Sequence, residues 1–400
     1  MLSSGIEFFP ERDAEILAGI PAAPAVFLLR GDPAEPDAEP YLSKTANLKR
    51  RLQRLLAPPE ERSRKLNLRA RARRIEYTLT GSDFESGLLL YCTLRSVFPQ
   101  TYRTRLRLRL APLVRLNLDN PWPRAYVTRR IGRLRGRSLY YGPFPSRAAA
   151  EKFLNDSLDL FKMRRCDFDL NPDPAFPGCI YSEMKMCLAP CFKGCTDEEY
   201  TAEVGRVRAY LDSGGQSLTA ALAAEREGAS TSLEFEAAAG IHARLEKVAA
   251  ARGLLPEIAR PLERVTGVIV QRSADAGAVA LFRVDAGILS GPVAFSVEQR
   301  QGKPVSMEAR LVEALAAGRP APARASSSSI SALERMEHLA LLKHWYYRSS
   351  RQGEIFLTDE RGELPLRRLV RGVSRVFRGE KAQDFTAEPA ENAKSMLDRG

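Results

Sequence analysis

The chain has 400 residues, with 44% hydrophobic and 28% charged side chains, enough for about two to four globular domains with substantial cores. No window approaches the roughly 20 apolar residues a membrane span requires, so no membrane partner and a cytoplasmic location are expected. The net charge is +12, from 61 Lys and Arg against 49 Asp and Glu, and it is unevenly placed. Arginines recur from Arg103 to Arg137 with Asp119 as the single acid, and a second basic run covers Lys44 to Arg74. Guanidinium forks match phosphate geometry and clustered cations displace condensed counterions. The first half is therefore expected to lie on nucleic acid, the alternative being a solvated basic face without a partner.

In chain order, residues 24–56 predict an apolar strand at Ala25–Leu29, an acidic Pro-rich hairpin loop and a short strand at Tyr41 and Leu42. A helix follows, capped by Ser43 or Thr45. Lys44 and Arg51 are seven residues apart, so they share one side if both are helical. Residues 74–91 predict a strand, a turn at Gly81–Asp83 and a helix. Residues 101–110, TYRTRLRLRL, alternate Arg103, Arg105, Arg107 and Arg109 with Thr104, Leu106, Leu108 and Leu110, the pattern of a strand with one buried and one cationic face.

Cys166, Cys179, Cys187 and Cys191 follow as C-x12-C-x7-C-x3-C in a Pro-rich and Gly-rich stretch. Thiolates gathered in so short a segment can hold soft metal, either tetrahedral zinc or an iron–sulfur cluster. A disulfide framework is the rival reading, but Met1–Pro10 carries acids and no apolar run resembling a signal peptide. Scattered core cysteines are the other, yet only Cys92 lies outside this region; it is expected to be a buried small hydrophobe, with Cys195 a spare or alternative ligand.

Thr196 with Glu199 opens a helix with a capping box, and glycines stop it. Two further helices are expected over Leu218–Arg252, the second starting near Leu233, with Gly240 costing about 1 kcal/mol relative to alanine. Residues 265–298 read as a three-stranded β-meander. A helix over Ile330–Arg348, a strand at Ile355–Leu357 and a helix over Leu366–Phe377 complete the chain. Glu354, Asp359 and Glu360 read as solvated loop charges, and the dispersed His242, His338 and His344 indicate no imidazole cluster.

The order P-A-V-F, Y-L-S-K-x-x-N-L-x-x-R, G-L-L-L-Y and P-Q-T-Y-R resembles the GIY-YIG nuclease module of the UvrC family, the incision subunits of bacterial nucleotide excision repair. Tyr141-Gly142-Pro143-Phe144-Pro145-Ser146, the cysteine spacing and Leu233-Glu234-Phe235-Glu236 extend that resemblance over about residues 20 to 300. It implies an α+β multidomain fold: a degenerate GIY-YIG-like small antiparallel sheet with helices at 14–110, a basic extension at 111–160 and a cysteine-ligated metal region at 161–200. A helical region with a UVR-like hairpin at 201–254, a β-meander domain at 258–318, a linker at 319–329, an α/β segment at 330–378 and a disordered tail at 379–400 complete it. It resembles a shorter UvrC-like or Cho-like form without the RNase H-like nuclease.

The resemblance also implies roles. Tyr41, Lys44 and Arg51 match retained catalytic positions. Phe27 stands at the first motif tyrosine, Tyr91 at the Mg²⁺-binding glutamate and Arg103 at an asparagine. Glu85, six residues before Tyr91, points about 240° around the helix axis and does not replace the glutamate. A neutral phenol is a poor magnesium ligand, so Mg²⁺ is doubtful and incision is expected to be impaired. Arg50, Arg51, Arg103, Arg105, Arg107 and Arg109 are the expected DNA contacts, the DNA being damaged duplex. Phe235 and Glu236 are the expected contacts to UvrB, the alternative being a plain helical hairpin. The four cysteines are expected to hold [4Fe–4S], with Zn²⁺ as the alternative. An active Mg²⁺-dependent endonuclease and a non-catalytic RNA- or DNA-binding adaptor are the competing functions.

Overall fold

The computed structural model describes residues 2–32, 39–58, 66–132, 136–298, 305–317 and 331–380. The linker at 319–329, the tail from 381 onward, and Arg133 and Arg135 lie outside the described residues. Among the described residues the strands form three four-stranded sheets, all of whose pairings are antiparallel.

The first sheet has the order β1-β4-β2-β3, with β1 (Ser4–Glu7), β2 (Ala25–Arg30), β3 (Tyr41–Thr45) and β4 (Arg74–Leu79). Its edge strand β1 precedes the 14–110 module expected from sequence. Central β2 is covered on both faces, which explains its continuous apolar run. Helices α1 (Asp13–Ala18) and α2 (Leu48–Leu55) close the core through Leu17, Leu48, Leu52 and Leu55. Asn47, rather than Ser43 or Thr45, caps α2: its side chain accepts from the Arg50 amide. Thr45 instead belongs to β3, with its hydroxyl accepting from the Asn47 amide. Lys44 is therefore a strand residue and does not share a helix face with Arg51.

Helix α3 (Asp83–Val97) is capped by Ser82, and α4 (Tyr102–Leu106) follows. The cationic strand expected over 103–110 is thus absent. Arg107 adopts left-handed backbone angles, φ 49° and ψ 42°, and ends α4. Leu106, at the end of α4, and Leu108, in the chain after it, still turn inward against the core, so the alternation marks a short helix and the irregular chain that follows it on an apolar surface. Cys92 is exposed on α3, contrary to expectation, because Phe84, Leu88 and Tyr91 already define the buried side.

The second sheet, β6-β5-β7-β8, comprises β5 (Leu113–Asn117), β6 (Arg124–Thr128), β7 (Leu139–Gly142) and β8 (Arg260–Pro261). It packs with α5 (Arg147–Leu158), α7 (Asp197–Asp212), α8 (Gln216–Thr231) and α9 (Phe235–Gly253) around Leu116, Tyr141, Phe153, Tyr200, Tyr210 and Val248. The short α6 (Ile180–Glu183) lies among the cysteines. Thr196 and Glu199 form the expected capping box, and α9 continues unbroken through Gly240.

The third sheet, β11-β10-β9-β12, contains the expected meander as β9 (Gly267–Arg272), β10 (Ala278–Asp285) and β11 (Ile288–Ser296), joined by β12 (Glu354–Leu357). Helices α10 (Met307–Ala317) and α12 (Leu366–Arg378) cover one face. Helix α11 (Ala332–Tyr346) and α3 cover the other. Glu354 is a buried ion-pair partner of Arg375, at 2.6 Å, rather than a solvated loop charge. The turn before α3 lies so close to the end of β9 that a Cβ on Gly81 would stand 2.2 Å from the Arg272 carbonyl oxygen. No helix among the described residues is long and apolar enough to cross a membrane.

Candidate nucleic-acid face and cysteine pocket

Strand β3 and helix α2 bring Tyr41 and Arg51 together: Arg51 Nη2 donates to the Tyr41 hydroxyl at 2.8 Å. Phe27 is fully buried beneath them, its ring 6.0 Å from that of Tyr41. Lys44 projects from the same strand to Asp83 at the start of α3, and Asp83 also receives Arg348 from beyond α11. Burial pushes the Asp83 carboxyl up, but the Lys44 hydrogen bond and the Lys44 and Arg348 charges outweigh it and hold the acid below its ordinary range.

Tyr91 and Arg103 lie elsewhere, around the buried Glu337 of α11. The Tyr91 hydroxyl donates to Glu337 Oε2 at 2.8 Å, the Tyr102 hydroxyl to Oε1 at 2.9 Å, and Arg103 Nε approaches Oε1 at 3.3 Å. Tyr91 is 0% exposed and Glu337 3%, so the phenol faces a fixed anion rather than solvent. Burial and then Glu337 drive the Tyr91 acidity well below that of a free phenol, keeping it neutral. Arg95 completes the joint by donating to the Tyr91 hydroxyl at 3.0 Å while pairing with Glu334 of α11. Glu85 is also committed: its carboxylate accepts from the Gly81 amide at 2.8 Å, and burial raises its pKa.

The expected contact arginines divide. Arg50, Arg107 and Arg109 are exposed. Arg105 is engaged by Glu39 and stacks 4.0 Å from the Phe98 ring centroid, and Arg103 is engaged by Glu337. Lys343 of α11 joins the face unannounced by the first half of the sequence. Burial depresses its ammonium pKa, and the nearby Arg129 and Arg109 depress it further. His344 is likewise depressed, by burial first and then by Arg348, with Lys44 and Lys343 adding to it. Positive groups therefore neighbour one another from Arg109 and Arg129 through Lys343 to Lys44 and Arg348, the last two paired with Asp83, and they come from segments more than 200 residues apart.

Cys166, Cys179, Cys187 and Cys191 line one small pocket with Arg164 and Phe168. Ala189 N donates to Cys187 Sγ and Arg164 Nη1 to Cys166 Sγ, each at 3.3 Å. Burial pushes the Cys187 thiol up to about 11, with the negative charge of neighbouring Cys166, Cys191 and Cys179 adding to it against the Ala189 hydrogen bond. Arg164 is 1% exposed, and its Nη2 has no hydrogen-bond partner among the described residues. Among the described residues no three Cys, His, Asp or Glu side chains are drawn into an ion-holding group. Cys195 is partly buried beside this region. At the far end of the helical pair, Leu233 and Phe235 are 70% and 67% exposed at the turn between α8 and α9.

Residues 111–210 match the UvrC/Cho excinuclease middle domain. That stretch includes the second sheet's first three strands in chain order, the cysteine pocket and most of α7. UvrABC system protein C of Carboxydothermus hydrogenoformans is 29% identical over 286 residues, covering 69% of this chain and 44% of that protein. Its counterparts in Actinobacillus succinogenes, 30% identical over 58% of this chain and 38% of that protein, and Ectopseudomonas mendocina, 32% over 50% and 32%, are also similar. The chain thus spans less than half the length of these relatives. No solved structure matches it. Together, the domain match and these similarities identify the chain as a UvrC-like protein.

Proposed function

We propose that this protein is a nucleotide excision repair factor that binds the phosphate backbone of damaged duplex DNA through its basic face and does not incise it. One observation carries the reading. Tyr91, which by resemblance stands where a nuclease of this kind has its magnesium carboxylate, is fully buried and hydrogen-bonded to Glu337. Cutting a phosphodiester with one metal needs a carboxylate for Mg²⁺ and a group that activates water. Phe27 has no hydroxyl, and the neutral Tyr91 phenol is directed into a protein core. What remains suits binding: Arg51 oriented by Tyr41, Lys44, and the exposed Arg50, Arg107 and Arg109 present donors to phosphate oxygens.

The four cysteines are the residues that would hold an inorganic group, [4Fe–4S] or Zn²⁺. Their common pocket, and the buried Arg164 donor that has no partner among the described residues, support it. When bound, such a group ties four positions of an irregular loop together. Arg164 and the Ala189 amide would donate hydrogen bonds to ligand sulfurs. The exposed Leu233 and Phe235, with Glu236, form an apolar tip suited to a helical partner surface, for which UvrB is the proposed occupant.

The test is incubation of the purified protein with lesion-containing duplex and Mg²⁺. Binding without nicking is expected, with affinity falling steeply as salt rises. Mg²⁺-dependent nicking that Arg51→Ala abolishes would establish the active-endonuclease alternative instead. Iron, acid-labile sulfide and zinc analysis of anaerobically purified protein tests the cysteine assignment; metal-free, folded protein would remove it.

A further inference from the structure

Helix α12 reads LRRLVRGVSRVFR, with arginines at 367, 368, 371, 375 and 378 and no acid. Leu369, Val373 and Val376 are buried against the third sheet. At about 100° per residue, Arg367, Arg371 and Arg378 share a strip about 40° wide on the opposite side, with Arg368 beside it. All four are exposed, whereas Arg375, further round, is paired with Glu354.

The stability of the helix does not account for this strip. Arg367 and Arg368 occupy the first turn, which lacks the acids that the macrodipole favours there and instead carries cations that it disfavours. Arg367 and Arg371 form a like-charged i, i+4 pair, which repels. Among the described residues the ion pairs of α12 are those of Arg375 with Glu354 and of Arg378 with the exposed Glu380. Arg367, Arg368 and Arg371 therefore have no carboxylate partner there. Asp359, in the loop before α12, accepts instead from the Arg361 and Glu363 amides. The exposed Glu360 and Glu363 of that loop, and Glu308 and Glu313 of α10, pair with none of these arginines.

The strip continues past the end of the helix. Alternation along β9 turns Ile269 and Gln271 toward α11 but Val268 and Val270, and with them Arg272, toward α12. A Cβ on Gly379 would stand 3.5 Å from Arg272 Nη2. Arg272 is exposed there, beside a cavity of about 890 Å³ between the end of α12 and residues 346–353. Arg348 and Arg351 also line this cavity, but they are engaged by Asp83 and by the Trp345 and Tyr346 rings. From Arg367 to Arg378 the strip covers about 16 Å at 1.5 Å per residue, or about five base steps of duplex at 3.4 Å each.

We infer that the outer side of α12, continued by Arg272, is a second phosphate-backbone site, holding a DNA segment on the side of the third sheet opposite α11. Guanidinium forks match phosphate oxygens, and the strip has no Asn or Gln to read adenine edges, so the contact is to backbone rather than to sequence. A membrane surface fits less well, because the apolar side that a basic helix would bury in lipid is already packed on the sheet. An acidic peptide fits less well because no exposed large apolar side chain lies on α12 to anchor it. The inference rests on the DNA-binding reading for the identity of the polyanion.

The test mixes two differently dyed, lesion-free duplexes of about 12 base pairs, each longer than the strip, with the protein at low salt and follows both dyes by sedimentation velocity. One protein copy should carry both dyes. Combining Arg367→Gln, Arg368→Gln and Arg371→Gln should return it to one duplex and weaken the second binding event at least tenfold. Those side chains are exposed and unpaired among the described residues, so the urea midpoint should not fall; Arg272→Gln, outside the helix, should weaken the same event. A single bound duplex that ignores the triple change, or two that ignore it, overturns the second site and leaves the DNA-binding reading of the first face intact. A single duplex lost on the triple change but kept after Arg107→Ala and Arg109→Ala upholds α12 and removes the first face. Absence of any bound duplex refutes both. Capture on phosphatidylglycerol vesicles that the triple change abolishes, with only one duplex bound, overturns the inference in favour of a membrane surface.

Discussion

Glu337→Ala is the sharpest perturbation of the joint between α3 and α11. The carboxylate accepts from the hydroxyls of Tyr91 and Tyr102 at 2.8 and 2.9 Å while only 3% exposed. Removing it deprives a fully buried phenol of its acceptor and a second, partly buried one of its own. Hydrogen bonds to a charged group are worth about 1.5–3 kcal/mol, and a buried donor left unmet costs about 1–3. The Arg103 contact adds little, because that side chain is 59% exposed and its pairing is screened. A loss of about 3–5 kcal/mol is therefore expected, in line with breaking other buried charged contacts. Tyr91→Phe alone should cost about 1–2 kcal/mol. Urea unfolding followed by tryptophan fluorescence measures both, since one of the two indoles, Trp345, sits in the same core. Because the two residues touch, the double variant should show a coupling of about 1.5 kcal/mol or more. A Glu337→Ala loss within about 0.5 kcal/mol of zero, the range of ordinary surface changes, or a vanishing coupling would refute the docking of α11 on α3.

Burial raises the Glu85 pKa, so its favourable contribution is present below the free-carboxyl range and lost as pH rises through the raised value. Glu85→Gln keeps an acceptor for the Gly81 amide and should raise the unfolding midpoint at pH 7, an advantage that shrinks on acidification; a uniform effect across pH would contradict it. Phe235→Ala should leave the urea midpoint within about 0.5 kcal/mol, given 67% exposure, yet abolish capture by immobilised UvrB if the hairpin tip is the contact. Replacing Arg107 and Arg109 together by alanine should lower the slope of log affinity against log salt by about 0.9 for each phosphate that these side chains neutralise. An unchanged slope would place those arginines off the DNA.

Local patterns reported local structure well. The meander over β9, β10 and β11 follows from apolar strands broken by Ala-Gly turns, and the Thr196–Glu199 capping box follows from residue spacing alone. The arginine ladder misled because period two describes burial, not hydrogen bonding. Leu106 packs inward from the end of α4 and Leu108 from chain that belongs to no strand, and Arg107 turns the backbone left-handed between them. Asn47 outcompeted Ser43 and Thr45 as the cap of α2 because β3 extends to Thr45. Gln271 carried a legible signal, an amide directly after the apolar run Gly267-Val268-Ile269-Val270, whose meaning depended on what faced it.

The sequence by itself determined the basic character of the first half and the grouping of thiols near residue 180, and it puts Tyr91 where the family resemblance implies an acid. Each is a matter of residue type and spacing within a short window. Only the tertiary structure decided what Tyr91 does in its place, that Lys343 and Arg348 extend the basic face, and that Gln271 borders a cavity. Those facts depend on α11 folding back across α3, from about 240 residues away. Such long-range packing is set by complementary surfaces and leaves no periodicity in either segment.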